Sequence, residues 1–168
     1  ASYASVWTGN FLTARRPGMR FLSPRGLAGL GWGLPMAIGA KLGRPEAPVV
    51  CVTGDGGFAH CWAELETAVR LSLSVTVIVL NNQILGYQKD AEDVLFGAHT
   101  EACHFAPVDH AAIARACGAR GIRVETPGDV AGAIADALAA TGPTVIDVVT
   151  DPSARPPITL YRGRFTDS

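Results

Sequence analysis

Polar residues follow two apolar segments of this chain, and together they could bind a metal ion and an anion. Val49–Thr53 runs into Gly54-Asp55-Gly56-Gly57, and Val75–Leu80 ends on Asn81-Asn82. Short apolar, β-branched runs are typical of strands buried in a parallel sheet. Residues 63–71 repeat apolar positions at helical spacing, which predicts a βαβ unit. Ligands of open α/β sheets bind at the carboxyl ends of the strands, where these polar residues stand.

The segment from Gly54 to Ala59 also fits the dinucleotide-binding pattern G-x-G-x-x-G/A. Two observations disfavour a nicotinamide or flavin site. The second strand ends in two amides instead of the acid that binds a ribose hydroxyl, and Asp55 would face a pyrophosphate with like charge. A divalent cation between them removes this repulsion, because Mg²⁺ takes oxygen ligands from carboxylates, amides and phosphates. The residues therefore predict a metal-bound diphosphate; a Rossmann-type dehydrogenase domain is the less favoured alternative.

Four motifs, in this order, resemble the cofactor-binding (PP) domain of thiamin-diphosphate enzymes in the acetohydroxyacid synthase and pyruvate oxidase family. They are the glycine-rich segment Gly26–Gly33, Leu34–Lys41, Gly54–Phe58 and Asn81–Gly86. The spacing from Asp55 to Asn82 also suits that family. The fold that the resemblance implies is α/β and doubly wound, with helices on both faces of a mainly parallel sheet.

The resemblance further implies that this chain binds Mg²⁺ and thiamin diphosphate. The metal would be held by the Asp55 carboxylate, the Asn82 side chain and the Ile84 carbonyl. The Ala28 carbonyl and the Leu30 amide would hold the aminopyrimidine, and the Leu30 side chain would prop the cofactor into its V shape. The other cofactor-binding residues expected are Gly54, Gly56, Gly57, Gly86 and Tyr87.

The reaction that the resemblance implies is decarboxylation or carboligation of a small 2-oxo acid, as in acetolactate synthase. The activating glutamate of the family belongs to a separate (PYR) domain, which nothing here matches, so no catalytic residue is expected on this chain. Activity would need a PYR-bearing polypeptide or a missing N-terminal part, commonly in an oligomer. Ala91 stands where acetohydroxyacid synthases carry a tryptophan that helps to choose the acceptor, which leaves the substrate open. A non-catalytic subunit that keeps the fold is another alternative.

The composition disfavours several classes of partner. Of 168 residues, 48% are hydrophobic and 17% charged, and the formal net charge is −1. This balance predicts neither nucleic acid nor an anionic membrane as a partner, and no apolar run reaches the ~18 residues of a spanning helix. The cysteines, at positions 51, 61, 103 and 117, form no C-x-x-C pair, which favours reduced thiols. We expect a cytoplasmic domain that buries apolar surface against a partner.

The remaining segments predict one domain over residues 1–150 and an extended arm over 151–168, with the first strand of the family falling upstream. Residues 1–25 show no helix or strand pattern, and Leu27–Leu42 predicts a helix that is apolar on nearly every side. Two more strands are predicted, at Arg120–Val124 and Thr144–Val149. Asp109 and Thr126 are the predicted N-caps of two later helices.

Three possible zinc ligands, His99, Cys103 and His104, lie in a segment without regular pattern, Ala91–Phe105. Structural zinc usually needs four ligands in paired spacings, and no fourth is nearby, so we interpret the segment as a mobile loop over the active site. His60 follows the glycine turn near the predicted diphosphate. A single histidine in such a place is more often structural than catalytic.

Overall fold

The computed structural model describes residues 2–12, 17–24, 27 and 29–157. Within these ranges, four strands form one sheet in the order β1-β2-β4-β3, and every neighbouring pair is parallel. The strands are β1 (Val49–Gly54), β2 (Val75–Asn81), β3 (Arg120–Val124) and β4 (Thr144–Val149). Their bounds match the predicted strands to within one residue.

Seven α-helices accompany the sheet in the described part of the chain. They are α1 (Ser2–Phe11), α2 (Gly33–Gly43), α3 (Asp55–Ala59), α4 (Leu65–Arg70), α5 (Gly86–Phe96), α6 (His110–Ala116) and α7 (Val130–Ala139). Three single 3-10 turns, Trp62–Glu64, Glu101–Cys103 and Pro127–Asp129, lie between them. No helix in the described ranges has the length and apolar character needed to cross a bilayer.

Helices cover both faces of the sheet. On one face, Leu34 of α2 and Phe58 of α3 are fully buried in one core with Val77 of β2. On the other face, α7 packs through Ala133 against Ile146 of β4. The strands are therefore apolar on both sides, as a parallel sheet requires. The predicted doubly wound α/β fold is confirmed.

The strand register brings the polar residues to one edge of the sheet. Parallel pairing sets Gly54 of β1 beside Leu80 of β2, and Asn81 beside Val149 of β4. Asp55 and Asn82 follow these pairs directly. Both therefore lie at the carboxyl edge of the sheet, as the βαβ pattern predicts.

The prediction that residues 1–25 are irregular is wrong, because they contain α1. The helix mixes glycine, β-branched and aromatic residues, which gives it a weak sequence signal. Tertiary contacts stabilise it instead: Ala4 and Thr8 are buried, and Tyr3 packs edge-to-face on Tyr87 with ring centroids 6.0 Å apart.

The predicted helix Leu27–Leu42 begins only at Gly33. Gly31 has a φ of +88°, a left-handed conformation that interrupts a helix and that glycine adopts without steric cost. The helix that follows buries Leu34, Ala37 and Ile38. One side of α2 therefore belongs to the core of this domain, and only the remainder is available to a partner.

The segment interpreted as a loop, Ala91–Phe105, is largely structured. Helix α5 continues to Phe96 and ends at Gly97, whose φ of +79° is left-handed. The chain then returns to the turn after β2: Leu85 N donates to the Cys103 carbonyl (2.8 Å), and Phe105 N donates to the Gln83 carbonyl (2.8 Å). These bonds fix the segment against the predicted metal-binding turn.

The two predicted N-caps differ in outcome. Asp109 caps α6, since its side chain accepts a hydrogen bond from Ala112 N at 2.8 Å. Thr126 makes no side-chain cap, and a 3-10 turn with Pro127 at its start precedes α7. Proline at that position leads into a tighter turn before the α-helix begins at Val130.

Candidate functional site

Asp55 connects the start of α3 to the turn after β2. Its side chain is buried, although it follows the last residue of an edge strand. Oδ1 accepts a hydrogen bond from Gly56 N at 2.8 Å, and Oδ2 accepts one from Gln83 N at 2.6 Å. The carboxylate thus holds together the two polar segments that the sequence predicts to cooperate.

The environment of Asp55 fits a bound cation. Burial raises the pKa of this carboxyl, outweighing the hydrogen bonds from Gly56 and Gln83 that lower it. Both bonds come from neutral amides, and each carboxylate oxygen keeps lone-pair capacity for another ligand. A divalent cation at these oxygens would favour the ionised form, because an opposite charge compensates for lost hydration. The donor set is oxygen, as Mg²⁺ prefers.

The turn after β2 carries the other two predicted metal ligands. Asn82 Oδ1 accepts a hydrogen bond from Ile84 N at 3.2 Å, which closes the turn. Gln83 has a φ of +62°, a left-handed conformation that is costly for a residue with a side chain. Ile84 stands opposite His104 in an isolated antiparallel bridge. The hydrogen bonds of this bridge are made by the Gln83 carbonyl and the Leu85 amide, not by Ile84. The Ile84 carbonyl is therefore not used by the bridge.

The glycines of the site are required by lack of space. None of Gly54, Gly56 and Gly57 has a positive φ, and the positive φ values among the described residues occur elsewhere. A Cβ on Gly56 would lie 2.6 Å from Leu85 Cδ2, and one on Gly86 would lie 2.8 Å from the Tyr3 ring. Both glycines therefore allow neighbouring elements to approach the predicted site closely.

Replacing Gly86 by alanine should lower the free energy of unfolding by about 1–3 kcal/mol, the usual cost of overpacking. The added methyl meets a Tyr3 ring that has little freedom to move, because its hydroxyl is hydrogen-bonded to Asp90. Gly132→Ala in α7 is the matched control, since a Cβ there meets nothing within 4 Å. The control should be neutral or stabilising by up to about 1 kcal/mol. Equal effects of both substitutions on chemical denaturation would contradict the close approach.

A cleft of about 520 Å³ opens beside this turn. Asn82, Ile84 and Gly86 line it, and α5 begins at Gly86. The free amides of the first turn of a helix favour an anion, so the edge of the cleft suits a diphosphate. The lining residues that the sequence analysis missed are Tyr3, Lys89, Asp90, Pro152, Ser153, Ala154 and Arg155. They come from three distant segments, and no motif marks them.

Asp90 joins both ends of the described chain to the wall of the cleft. It is buried and accepts a hydrogen bond from the Tyr3 hydroxyl. Arg155 Nη2 lies 3.3 Å and Lys89 Nζ 3.9 Å from Asp90 Oδ1. Burial, together with the Asp90 carboxylate, raises the pKa of the Tyr3 phenol. Helix α1 and the segment around Arg155 are therefore held to α5 by one carboxylate.

Gly57 and Leu30, two further predicted cofactor residues, lie in α3 and near its end. Leu30 is 38% exposed, and the adjacent Gly31 lies against His60, which is itself exposed. Gly57 is buried in α3, and the Gly56 amide donates to Asp55 Oδ1. Ala28 lies outside the described residues.

The three possible zinc ligands do not converge. His99 Nε2 and His104 Nε2 are 3.1 Å apart, and His99 Nδ1 bonds to Asp93 at 2.8 Å. The Cys103 thiol lies instead beside Glu92 Oε2, at 3.7 Å. Among the described residues, no group of three or more such side chains could hold a metal ion.

Most of the chain matches a known protein family. The family model described as "Thiamine pyrophosphate enzyme, C-terminal TPP binding domain" matches residues 1–148. The chain belongs to this family. Its match includes Asp55 and the turn after β2, which the fold brings into contact. The resemblance stated from the motifs is therefore confirmed, and this TPP-binding domain is of the acetolactate synthase-like type.

Named relatives agree with the family assignment. The chain is 37% identical to the acetolactate synthase of Bacillus subtilis, over 88% of this chain and 25% of the relative. It is 38% identical to the large subunit of acetolactate synthase isozyme 3 of Escherichia coli, over 71% and 21%. Among solved structures, the thiamine diphosphate-dependent 4-hydroxybenzoylformate decarboxylase of Rhodococcus jostii matches with a TM-score of 0.70 and 34% identity, covering 73% and 23%. The chain thus spans about a quarter or less of each relative.

Proposed function

We propose that this TPP-binding domain binds Mg²⁺ and thiamin diphosphate as the PP part of a 2-oxo acid decarboxylase or carboligase. The observation that carries the proposal is the buried Asp55 carboxylate. Its two hydrogen bonds come from neutral amides, and one of them reaches the turn that holds Asn82 and Ile84. A buried carboxylate that is not hydrogen-bonded to a cationic side chain is costly unless a cation joins it.

The residues of the turn and the cleft would divide the binding. Asp55, Asn82 and Ile84 would hold the metal through oxygen atoms. The diphosphate would lie against the first turn of α5, at Gly86 and Tyr87, with the Gly57 amide opposite. The Ala28 carbonyl and the Leu30 amide would hold the aminopyrimidine. When bound, the cofactor supplies an electron sink for the carbanion that decarboxylation of a 2-oxo acid leaves.

The activating glutamate is expected on a PYR domain, carried either by another polypeptide or by another part of the same protein. The chain spans 21–25% of the length of its relatives, so a longer protein would leave ample room for such a domain. We further propose an oligomer in the cytoplasm, with the active site between PP and PYR domains. No catalytic residue is assigned to this chain.

The proposed substrates are small 2-oxo acids. The relatives include acetolactate synthases and a 4-hydroxybenzoylformate decarboxylase, and the benzoylformate named in the latter is a 2-oxo acid. Ala91, at the position of the acceptor-choosing tryptophan, is buried in α5. Acetolactate formation is therefore one candidate reaction and simple decarboxylation is another. A dehydrogenase domain is not favoured, because the family assignment is to thiamine pyrophosphate enzymes.

Calorimetric titration of the full-length protein with thiamin diphosphate tests the proposal. We expect saturable binding with Mg²⁺ present and none after chelation, and no binding of NAD. Release of CO₂ from pyruvate and from benzoylformate then separates an active enzyme from a non-catalytic subunit. Binding of NAD, or cofactor binding that chelation does not change, would contradict the proposal.

Leu30→Ala should reduce turnover more than cofactor affinity. The diphosphate and metal anchor the cofactor elsewhere, whereas Leu30 is proposed to hold the reacting rings in position. Misplacement by about 1 Å can reduce the rate about 100-fold, so we expect kcat to fall about 10–100-fold while Kd changes less than about threefold. Leu42→Ala, at an exposed leucine of α2, is the control. A weakened Kd with normal kcat would show that Leu30 is not the prop.

A further inference from the structure

An ion pair between a buried aspartate, Asp147, and a partly exposed arginine, Arg123, adjoins the end of β2. Asp147 of β4 is 0% exposed, and the strand register sets it beside Val79 of β2 and Arg123 of β3. Asp147 Oδ1 accepts a hydrogen bond from Asn81 Nδ2 at 2.9 Å. Its Oδ2 accepts two more, from His110 N at 3.0 Å and from Arg123 Nη1 at 2.8 Å. The charge is therefore paired and fully hydrogen-bonded inside the sheet.

Asn81 is the residue that this carboxylate orients. Its side-chain amide donates to Asp147 Oδ1 and also to the Val108 carbonyl, at 3.0 Å. The backbone carbonyl of Asn81 accepts a hydrogen bond from Thr150 N at 2.9 Å, and Asn81 is 1% exposed. Asn81 is thus held by β4, by the residue after β4 and by the segment before α6. The next residue is Asn82.

Contacts lead without interruption from Arg123 to the proposed metal ligands. Arg123 pairs with Asp147 through Nη1 and with Glu125 through Nε, both at 2.8 Å, and Asp147 orients Asn81. The turn that starts there directs Gln83 N to Asp55 Oδ2 at 2.6 Å. The left-handed conformation of Gln83 persists only where surrounding contacts impose it, and the fixed end of β2 supplies one side of that constraint.

Stability alone gives no reason to bury the Asp147 carboxylate, because apolar residues often replace a buried charge and its partner without loss. We propose that Asp147 and Arg123 are positioning residues for the metal site. By fixing Asn81 they set the turn that presents Asn82 and Ile84 to the cation. This inference rests on the proposed function, and it assigns a role in cation binding to residues on strands that the motifs do not include.

The test uses the full-length protein with saturating thiamin diphosphate and Mn²⁺ in place of Mg²⁺, followed by electron paramagnetic resonance. Arg123→Met keeps the aliphatic stem and removes the guanidinium. We expect the Kd for Mn²⁺ to rise about tenfold, which corresponds to about 1.4 kcal/mol, and the spectrum of bound Mn²⁺ to change shape. Arg123→Lys restores a cation and should return the Kd to within about threefold of the unsubstituted protein, or about 0.7 kcal/mol.

Arg120→Met is the matched control, because Arg120 lies on the same strand and pairs with Asp136 at 3.5 Å on the surface. It should leave both Kd and spectrum unchanged. Thermal unfolding of each variant measures stability separately, and Asp147→Asn serves as the second variant if Arg123→Met does not fold. A less stable variant with unchanged Kd and spectrum would overturn the inference and leave the proposed function intact. An unsubstituted protein that binds no Mn²⁺ would overturn the proposed function, and the inference with it.

Discussion

Asp55→Ala is expected to abolish Mg²⁺-dependent binding of thiamin diphosphate by the full-length protein. Asp55 supplies the carboxylate of the proposed metal site, and without it the diphosphate has no shared cation. Losses of 10–100-fold are common when a residue that only supports a metal ligand is removed, so removal of a ligand should weaken binding at least about 100-fold. Isothermal titration with thiamin diphosphate, with and without Mg²⁺, measures this effect.

The Asp55→Ala substitution removes more than a metal ligand, because the same carboxylate accepts hydrogen bonds from Gly56 N and Gln83 N. Each amide left unpaired costs about 1–3 kcal/mol, so the alanine variant should also be less stable. Asp55→Asn keeps an acceptor and loses the charge, which separates the two effects. Asp136→Ala, at an exposed aspartate, controls for loss of a surface charge. Unchanged affinity in a folded Asp55→Asn protein would show that the metal ligands lie elsewhere.

The second large effect concerns assembly. The isolated 168-residue chain should self-associate, and it should become soluble, cofactor-competent and active only with a PYR-bearing polypeptide. Leu27 is 100% exposed and Trp32 is 53% exposed, and they stand on either side of Leu30 in the sequence. A side chain of this size contributes about 1.5–3 kcal/mol to the free energy of association when a partner buries it. Exposure of both side chains therefore favours association.

Light scattering on the purified chain, alone and after co-expression with a PYR-bearing polypeptide, measures the assembly effect. Leu27→Ser combined with Trp32→Ser should reduce self-association of the isolated chain and weaken complex formation. Leu138→Ser, at an exposed leucine of α7 on the other side of the sheet, should change neither. A monodisperse monomer that turns over a 2-oxo acid without a partner would contradict the predicted self-association. It would also contradict the expectation that the activating glutamate lies on a PYR domain.

The strands and the contact between the two polar segments could be predicted from sequence because both depend on local patterns. β-branched runs mark β1, β2 and β4 to within one residue, and parallel register then brings Asp55 to the turn after β2. The order of the motifs was sufficient to name the family, and the comparison with known families confirmed it.

Long-range contacts account for the failures. Helix α1 is held by Tyr3 against Gly86 and Asp90, residues more than 80 positions away, and no local pattern reports that packing. The same holds for Asp147, which the sequence shows only as one acid in an apolar strand. Its meaning depends on Asn81 and Arg123, which two separate strand pairings bring beside it. Such groups become visible only when the sheet order is known.

A diffraction experiment on crystals of the full-length protein grown with thiamin diphosphate and Mn²⁺ would show whether Asp55, Asn82 and Ile84 hold the cation. Anomalous scattering locates Mn²⁺ independently of any assumption about its ligands. We expect one anomalous peak at coordination distance from Asp55, Asn82 and the Ile84 carbonyl, with diphosphate oxygens completing the coordination shell. A cofactor bound without a peak at Asp55, or a peak held by other residues, would contradict this expectation.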